Sequence, residues 1–426
     1  MSKHKRTLRW MRLDNAAKIY PAARRRSWSN VFRLSVTLTE EVDASVLQSA
    51  LEVTVRRFPS MATRLRRGLF WYYLQELEHA PKILPECSYP LTPMGAEETR
   101  GCAFRVIVYH KRIAVEFFHS LTDGNGALVF LKTLTAEYLQ QKYGITIPCS
   151  HGILDRHAPA GEEELEDSFL KYAGAVSAGR SERTAWHLSG TPREELALTC
   201  LQVQAKALLD KAHEYGVSVT EFLTAAMMQA LLQMQEKAVP KIMRRKPIKV
   251  LVPVNLRKLF PSKTLRNFAL YVTPELDPRL GQYSFAEICK TVHHFMGAQV
   301  NAKQLSRVIA TNVGDEKSLA VKLLPLFIKN FVMRAVFDTV GERKSCLTLS
   351  NLGMVQLPEE MAQFVDRVDF ILSPQAHAPH NCGVISYGDT VNINFIRNIE
   401  ESELELSFFR ALQEQGITAT VQSNGG

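Results

Sequence analysis

The chain has 426 residues, more than one hydrophobic core usually supports, so we expect two domains. Its composition, 46% hydrophobic and 22% charged residues, is that of an ordinary soluble globular protein. The net charge of +9, with much of the excess in the first 70 residues, suits either an anionic partner or a solvated basic face. No finger spacing of Cys and His and no aromatic RNA-binding signature accompanies it, so nucleic acid is not the expected partner.

Cysteine usage and hydropathy indicate the cellular compartment. The seven cysteines are scattered, odd in number and never spaced C-x-x-C, which favours reduced thiols over a disulfide framework or a zinc site. The basic N-terminus lacks the apolar core of a signal peptide. Charged residues and Pro325 interrupt the most apolar segment, 319–337, so we expect no transmembrane span there. A buried helix with snorkelling lysines is favoured over one that guides an apolar acceptor or touches a membrane. We expect a cytoplasmic protein.

Periodicity predicts a mixed strand-and-helix first half. The predicted elements are a strand at 31–38, a helix at 42–58, a strand at 70–74, a hairpin of 104–109 and 113–118, and a helix at 126–142. In the second arm of the hairpin, His119 has the same parity as Ile113, Val115 and Phe117. Its side chain should therefore project from the same face as three apolar ones.

The pattern dissolves between roughly 150 and 195, where an acidic run and a turn-like Ser189-Gly190-Thr191-Pro192 occur. We take this as the interdomain connection and predict domains at 1–185 and 186–426. The second half begins another α/β pattern near Leu196. Its predicted elements are a helix at 222–234 with Ser218 or Thr220 as N-cap, strands at 249–254 and 347–349, and a hairpin within 384–396 that turns at Gly388-Asp389.

The most informative stretch is Phe117-Phe118-His119-Ser120-Leu121-Thr122-Asp123-Gly124. It places a histidine at the end of a strand, then a turn with a carboxylate and a glycine, then a helix. A histidine on a rigid element can serve as a general base, and Gly124 would permit an unusual backbone angle and close approach of a ligand. A satisfied histidine at a strand end is the alternative, which the context disfavours.

The motif His119-x-x-x-Asp123-Gly124 resembles the active-site motif of the coenzyme A-dependent acyltransferase superfamily, whose members include chloramphenicol acetyltransferase, condensation domains and alcohol acetyltransferases. Three further segments resemble the alcohol acetyltransferases: 14–21, 252–257 with Asn267 ten residues on, and Ser350-Asn351-Leu352-Gly353. The resemblance implies two chloramphenicol acetyltransferase-like domains, each a mixed β-sheet flanked by helices, with an active-site tunnel between them.

The resemblance also implies roles for matching residues. His119 would take the proton from an acceptor hydroxyl as that oxygen attacks a thioester carbonyl, without an acyl-enzyme. Asp123 would point away from the substrate and pair with Arg257, and with Asn267 this pair would brace the site. Ser350 and Asn351 are candidates for hydrogen-bonding the developing oxyanion; a polar strand end is the equally supported alternative.

The expected activity is therefore acyl transfer from a thioester to an alcohol, and acyl-coenzyme A or an acyl-phosphopantetheine carrier protein would be the co-substrate. No permanently bound cofactor is expected. A small-molecule or lipid alcohol would be the acceptor, and the protein would be a monomer. An amide-forming condensation-type enzyme and a non-catalytic binding module on the same fold remain alternatives. His377-x-x-His380 lacks the helix and glutamate of a zinc protease, so we expect no metal site and place these histidines at the surface or along the substrate.

Overall fold

The computed structural model describes residues 8–24, 30–87, 89–176, 183–317, 324–337, 342–375 and 378–424. The strands are β1 Trp10–Arg12, β2 Val31–Leu38, β3 Thr63–Arg67, β4 Tyr72–Glu76, β5 Leu84–Pro85, β6 Phe104–Tyr109, β7 Arg112–Phe118, β8 Pro192–Gln204, β9 Ile248–Asn255, β10 Ala269–Val272, β11 Glu275–Leu276, β12 Leu347–Val355, β13 Val365–Ile371, β14 His380–Tyr387, β15 Thr390–Ile399 and β16 Ala419–Ser423. The predicted mixed α/β fold class is confirmed.

The α-helices lie between the strands and pack on the sheets. They are α1 Ile19–Ala23, α2 Ala44–Arg57, α3 Ala96–Gly101, α4 Gly124–Tyr143, α5 Glu162–Leu165, α6 Ser168–Tyr172, α7 Ala205–Glu214, α8 Val219–Ala238, α9 Phe285–Gln299, α10 Ala302–Lys317, α11 Leu326–Val336, α12 Glu359–Ala362 and α13 Glu403–Glu414. Ser218 caps α8 and forms a capping box with Glu221, whereas Thr220, the other predicted cap, lies inside the helix.

A five-stranded sheet organises the first half of the chain, in the order β13-β2-β7-β6-β5. β7 lies at its centre, antiparallel to both β2 and β6. Helices α2 and α4 pack on each other, and Phe130 of α4 meets Phe117 of β7 edge-on at 5.4 Å between ring centroids. Strand β7, which leads into His119, is therefore paired with a strand along each edge and covered on one face by α4.

A larger sheet organises the second half, in the order β10-β9-β12-β14-β15-β8-β16, with β11 also paired to β9. β12 runs parallel to both β9 and β14. Because carboxyl ends of parallel strands meet at one edge, the ends of β9 and β12 lie on the same side of this sheet. Arg257 follows the end of β9, and Ser350 lies in the middle of β12.

β13 crosses from the second half of the chain into the first sheet, where it pairs antiparallel with β2. The residue pattern gave no strand at these positions. The five-stranded sheet thus contains one strand from beyond the predicted boundary at 185/186, and that boundary stays a prediction. A third, small sheet has the order β1-β4-β3.

The sequence predicted a buried helix with snorkelling lysines in segment 319–337, and the burial is wrong. Residues 319–323 lie outside the described residues, and α11 covers most of the rest. Phe327, Phe331 and Val332 of α11 are exposed, whereas Lys329 is buried, so this is no core helix with lysines that reach outward. Within the described ranges, every helix is too short or too polar to cross a lipid bilayer.

Candidate active site

His119 leaves the end of β7 and lies between two aromatic rings. Its backbone N–H donates to the carbonyl of Asn30 at 2.9 Å, which continues the strand pairing by one residue. The ring of Tyr20 stacks on the imidazole at 4.5 Å between centroids, and Phe32 meets it edge-on at 5.0 Å. The side chain is only partly covered. The imidazole is thus packed between the rings of Tyr20 and Phe32 and stays partly exposed.

Asn267 fixes the tautomer of His119. The Nδ2 of Asn267 donates to the backbone carbonyl of His119 at 3.0 Å and to Oδ2 of Asp14 at 3.2 Å. Both partners are acceptors, so the amide nitrogen must face them and Oδ1 must face the imidazole. Oδ1 lies 3.1 Å from Nδ1 of His119, which is therefore the protonated nitrogen. Nε2 makes no hydrogen bond to any described residue and keeps its lone pair.

The environment of His119 keeps the ring neutral. Burial lowers the pKa of His119 because the imidazolium would lose its hydration. Its own backbone, the charge of Asp123 and the hydrogen bond that it donates to Asn267 oppose that effect without reversing it. A neutral imidazole with Nδ1 protonated has the form of a general base acting through Nε2.

Asp14 lies behind Asn267 and is fully buried. Its Oδ1 accepts from the backbone N–H of Ala17 at 2.7 Å, and Arg266 Nε lies 3.7 Å from Oδ2. Burial raises the pKa of Asp14, and the charge of Arg266 opposes that rise. Asp14 thus links the segment that carries Tyr20 to Asn267, and so to the imidazole.

Both carboxylate oxygens of Asp123 form hydrogen bonds within the protein, to the turn after His119 and to the segment 257–268. Its Oδ1 caps α4 through the N–H of Gly126 at 3.0 Å. Its Oδ2 accepts from Arg257 Nη1 at 2.7 Å and from the backbone N–H of Phe268 at 2.8 Å. The ion pair that the resemblance implied is therefore present, and it ties the His119 turn to the segment that carries Asn267.

Arg257 holds that segment from the other side. Its Nε donates to the carbonyl of Thr264 at 2.9 Å, and its Nη2 donates to the carbonyl of Arg266 at 2.6 Å. Thr122 Oγ1 adds a bond of 2.6 Å to the carbonyl of Leu265. Three successive carbonyls, 264 to 266, are thus bound immediately before Asn267, which fixes the place of its amide.

The glycines of the turn differ from the prediction. Gly124 has no positive φ, so the unusual backbone angle expected there is wrong, and a Cβ at 124 would meet only the side chain of Leu352. At Gly126 a Cβ would lie 2.3 Å from the carbonyl oxygen of Leu265. The second glycine, which the motif analysis did not single out, is the one that the close approach of the two segments requires.

The two oxyanion candidates lie in the middle of β12 and differ in their hydrogen bonds. Asn351 donates from Nδ2 to Thr220 Oγ1 at 3.1 Å and accepts from the N–H of Gly353 at 2.8 Å, so its amide is already engaged. The Ser350 hydroxyl has no hydrogen-bond partner among the described residues. Leu352 lies against Gly124, which places this part of β12 beside the His119 turn. Of the two candidates, Ser350 is the one whose polar group is not already bound within the described residues.

Three residues around His119 had no predicted role: Asp14, Tyr20 and Phe32. Asp14 and Tyr20 lie in the segment 14–21 that carried part of the resemblance, which was the available signal. Of the two histidines weighed as metal ligands, His377 lies outside the described residues. His380 is buried, with Nε2 3.3 Å from Glu405. The predicted surface position is therefore wrong for His380. In the described part of the chain no three metal-ligating side chains come together.

No protein-family model matches the chain, and no curated protein is significantly similar to it in sequence. Solved structures do share its fold. The trichothecene 15-O-acetyltransferase from Fusarium sporotrichioides is 13% identical, with 95% of this chain and 94% of that chain covered and a TM-score of 0.61. TRI101 from the same fungus, complexed with coenzyme A and T-2, is 11% identical (98% and 100% covered, TM-score 0.62). Polyketide synthase associated protein 5 from Mycobacterium tuberculosis is 14% identical (95% and 97%, TM-score 0.60).

Condensation domains share the fold as well. The first condensation domain of the CDA synthetase is 13% identical, with 95% and 96% of the two chains covered and a TM-score of 0.58. The chain therefore has the fold of the coenzyme A-dependent acyltransferases and condensation domains, and the predicted resemblance is confirmed at the level of fold.

Proposed function

We propose that the chain is an acyltransferase that moves an acyl group from a thioester donor to an alcohol hydroxyl, with His119 as general base. The observation that carries the proposal is the contact between Asn267 Oδ1 and His119 Nδ1. It leaves a basic lone pair on Nε2 of a neutral, partly exposed ring. A general base that acts through Nε2 requires this tautomer.

The reaction proceeds without an acyl-enzyme. Nε2 of His119 takes the proton of the acceptor hydroxyl as that oxygen forms a bond to the thioester carbonyl carbon. The carbonyl π electrons move to oxygen, where the Ser350 hydroxyl donates a hydrogen bond to the negative charge. The intermediate then collapses, the carbon–sulfur bond breaks, and the imidazolium returns its proton to the leaving thiolate. Asp123, Arg257 and Asn267 act as positioning residues, because they act through the ring and the turn.

The donor is an acyl thioester of coenzyme A or of a phosphopantetheine carrier protein. TRI101, which shares the fold, was crystallised with coenzyme A, and this supports a coenzyme A thioester as the first donor to assay. The net charge of +9 is suited to either polyanionic donor. All seven cysteines lie in the described ranges and are free thiols, in keeping with a cytoplasmic enzyme, which we propose to be a monomer.

The test combines an acceptor screen with a base variant. Acyl-coenzyme A thioesters of graded chain length are offered with alcohol and amine panels, and thiol release and products are measured by mass spectrometry. We expect acceptor-dependent thiol release and an ester product. His119→Ala should lower turnover by about 10²–10⁴-fold. His294→Ala, at an exposed histidine on α9, is the control and should leave turnover unchanged.

Three outcomes would overturn the proposal. Amide formation with no ester would replace it by the condensation-type reaction. Thiol release that is absent in the folded wild-type protein would leave a binding module. Thiol release that is equal in the wild-type protein and in the His119→Ala variant would show that His119 is not the base.

A further inference from the structure

The exposure pattern of helix α11 is the reverse of that of an ordinary surface helix, because apolar side chains are exposed and a lysine is buried. Phe327 and Phe331, one turn apart, are 65% and 77% exposed, and Val332 is also exposed. Lys329, between them in sequence, is only 3% exposed. A soluble protein gains nothing from turning two phenylalanines to water while it buries an ammonium group. The arrangement indicates that the outward face of α11 meets something other than water.

The buried lysine joins α11 to the turn between β3 and β4. Its ammonium lies 3.8 Å from the centroid of the Trp71 ring and donates to the carbonyl of Phe70 at 3.1 Å. The N–H of Leu326 donates to the carbonyl of Leu69 at 3.0 Å. Leu69 and Phe70 are themselves exposed. The turn and the helix thus form one apolar surface, which comprises Leu69, Phe70, Phe327, Phe331 and Val332.

The elements that carry or adjoin this apolar surface are strongly cationic. Ranges 8–24, 60–76 and 324–337 contain nine lysines and arginines and two carboxylates. Both carboxylates, Asp14 and Glu76, are buried, and so is one of the cations, Lys329. The cations are Arg9, Arg12, Lys18, Arg24, Arg64, Arg66, Arg67, Lys329 and Arg334. A partner for this face should therefore be apolar within and anionic at its edge.

We propose that the apolar surface docks on an anionic lipid bilayer, with its aromatic side chains among the acyl chains and the arginines at the headgroups. Exposed phenylalanines and leucine with a cationic border are the composition of an interfacial membrane anchor. The docking adds a membrane interaction to the acyl-transfer proposal and does not depend on it.

The apolar surface adjoins the candidate active site. Arg334 of α11 donates to the carbonyls of Ala22 and Arg24 at 3.2 and 3.1 Å, at the end of α1. The same short helix carries Tyr20, which stacks on His119. A bilayer bound at this surface would thus lie one helix away from the imidazole.

Vesicle binding tests the proposal on the full chain. The wild-type protein is sedimented with phosphatidylcholine vesicles that contain phosphatidylglycerol, and with vesicles of phosphatidylcholine alone. We expect stronger binding to the anionic vesicles, weakened by salt. The double variant Phe327→Ser/Phe331→Ser should bind about 10–100-fold more weakly. The matched control is Met243→Ser/Leu280→Ser, which replaces two exposed apolar residues elsewhere and should bind as wild type does.

Melting temperatures establish that both double variants are folded. The proposal is overturned if wild type binds neither vesicle, if Phe327→Ser/Phe331→Ser binds as wild type does, or if the control loses binding equally. Sedimentation velocity supplies a further check. A wild-type dimer that becomes monomeric in Phe327→Ser/Phe331→Ser would show that a second copy covers this surface, and would also overturn membrane docking.

Discussion

The carboxamide of Asn267 meets Nδ1 of His119 at 3.1 Å, although 148 positions separate the two residues in sequence. The contact crosses from the segment after β9 to the end of β7. Asp14 and the carbonyl of His119 hold the other end of the same amide, so its orientation cannot reverse without losing both bonds. The tautomer of the imidazole is thus determined by a residue that touches no substrate in the proposed reaction.

Replacing Asn267 by leucine should therefore alter both rate and pH dependence. The hydrogen bond that His119 donates to Asn267 raises the pKa of His119, so its loss should move the acid limb of the kcat/KM profile to lower pH. Turnover on the plateau should fall about 10–100-fold, because the Nε2 tautomer is no longer selected. Asn424→Leu, at an exposed position, is the control. A lower rate with an unmoved acid limb would reduce Asn267 to a structural residue.

The ion pair of Asp123 with Arg257 should behave as a coupled unit. The side chain of Asp123 is 4% exposed and that of Arg257 is 16% exposed, so Arg257→Ala leaves a buried carboxylate without its cation. We expect a loss of about 3–5 kcal/mol in the free energy of unfolding, measured in urea. Adding Asp123→Asn, which keeps a capping side chain, should recover part of that loss. Strictly additive effects of the two changes would show that the pair contributes no coupling.

The two glycines of the turn offer a matched pair of substitutions. Gly126→Ala would push a methyl group against the carbonyl oxygen of Leu265, two residues before Asn267. It should cost about 1–3 kcal/mol of stability and lower turnover with it. Gly124→Ala meets only the end of the Leu352 side chain, which can move, so its effect should be smaller in both measurements. Equal losses from the two variants, by denaturant titration and thiol-release assay, would contradict this reading.

Local patterns sufficed for the strand, the turn and the helix around His119. Alternation gave β2 with its observed bounds, and helical spacing gave α2 and α4 to within a few residues. The partners of His119 could not be found in this way. Asn267 and Asp14 reach the ring through contacts between segments distant in sequence. Strand β13 joins the first sheet although its hydrophobic pattern did not predict a strand. The burial of Lys329 depends on the Trp71 ring, which only the folded chain brings to it.

A pH-dependent stability follows from Asp167, which caps α6 near Asp14. Burial, reinforced by the charge of Asp14, raises the pKa of Asp167 to about 6. An aspartate in an unfolded chain titrates near pH 4, about two units lower. Between these values the folded state holds a proton that the unfolded state has released. The carboxyl therefore stabilises the folded state fully below about pH 4, and this stability is lost as the pH rises through 6.

Asp167→Asn should remove that dependence. Denaturant midpoints measured from pH 4 to pH 7 should fall more steeply in the wild-type protein than in the variant. Asp366→Asn, at an exposed aspartate, is the control and should follow wild type. Parallel curves for wild type and Asp167→Asn would mean that Asp167 titrates normally in the folded protein.

Changing Ser350 and Asn351 to alanine one at a time should have different effects on turnover and on stability. The Ser350 hydroxyl has no hydrogen-bond partner among the described residues, so Ser350→Ala should leave the melting temperature unchanged. If it donates to the oxyanion, kcat should fall about 10²–10³-fold with little change in KM. Asn351 binds Thr220 and the N–H of Gly353, so Asn351→Ala should lower stability by about 1 kcal/mol per lost bond. A kcat loss in Asn351→Ala at full stability, with Ser350→Ala fully active, would exchange the two assignments.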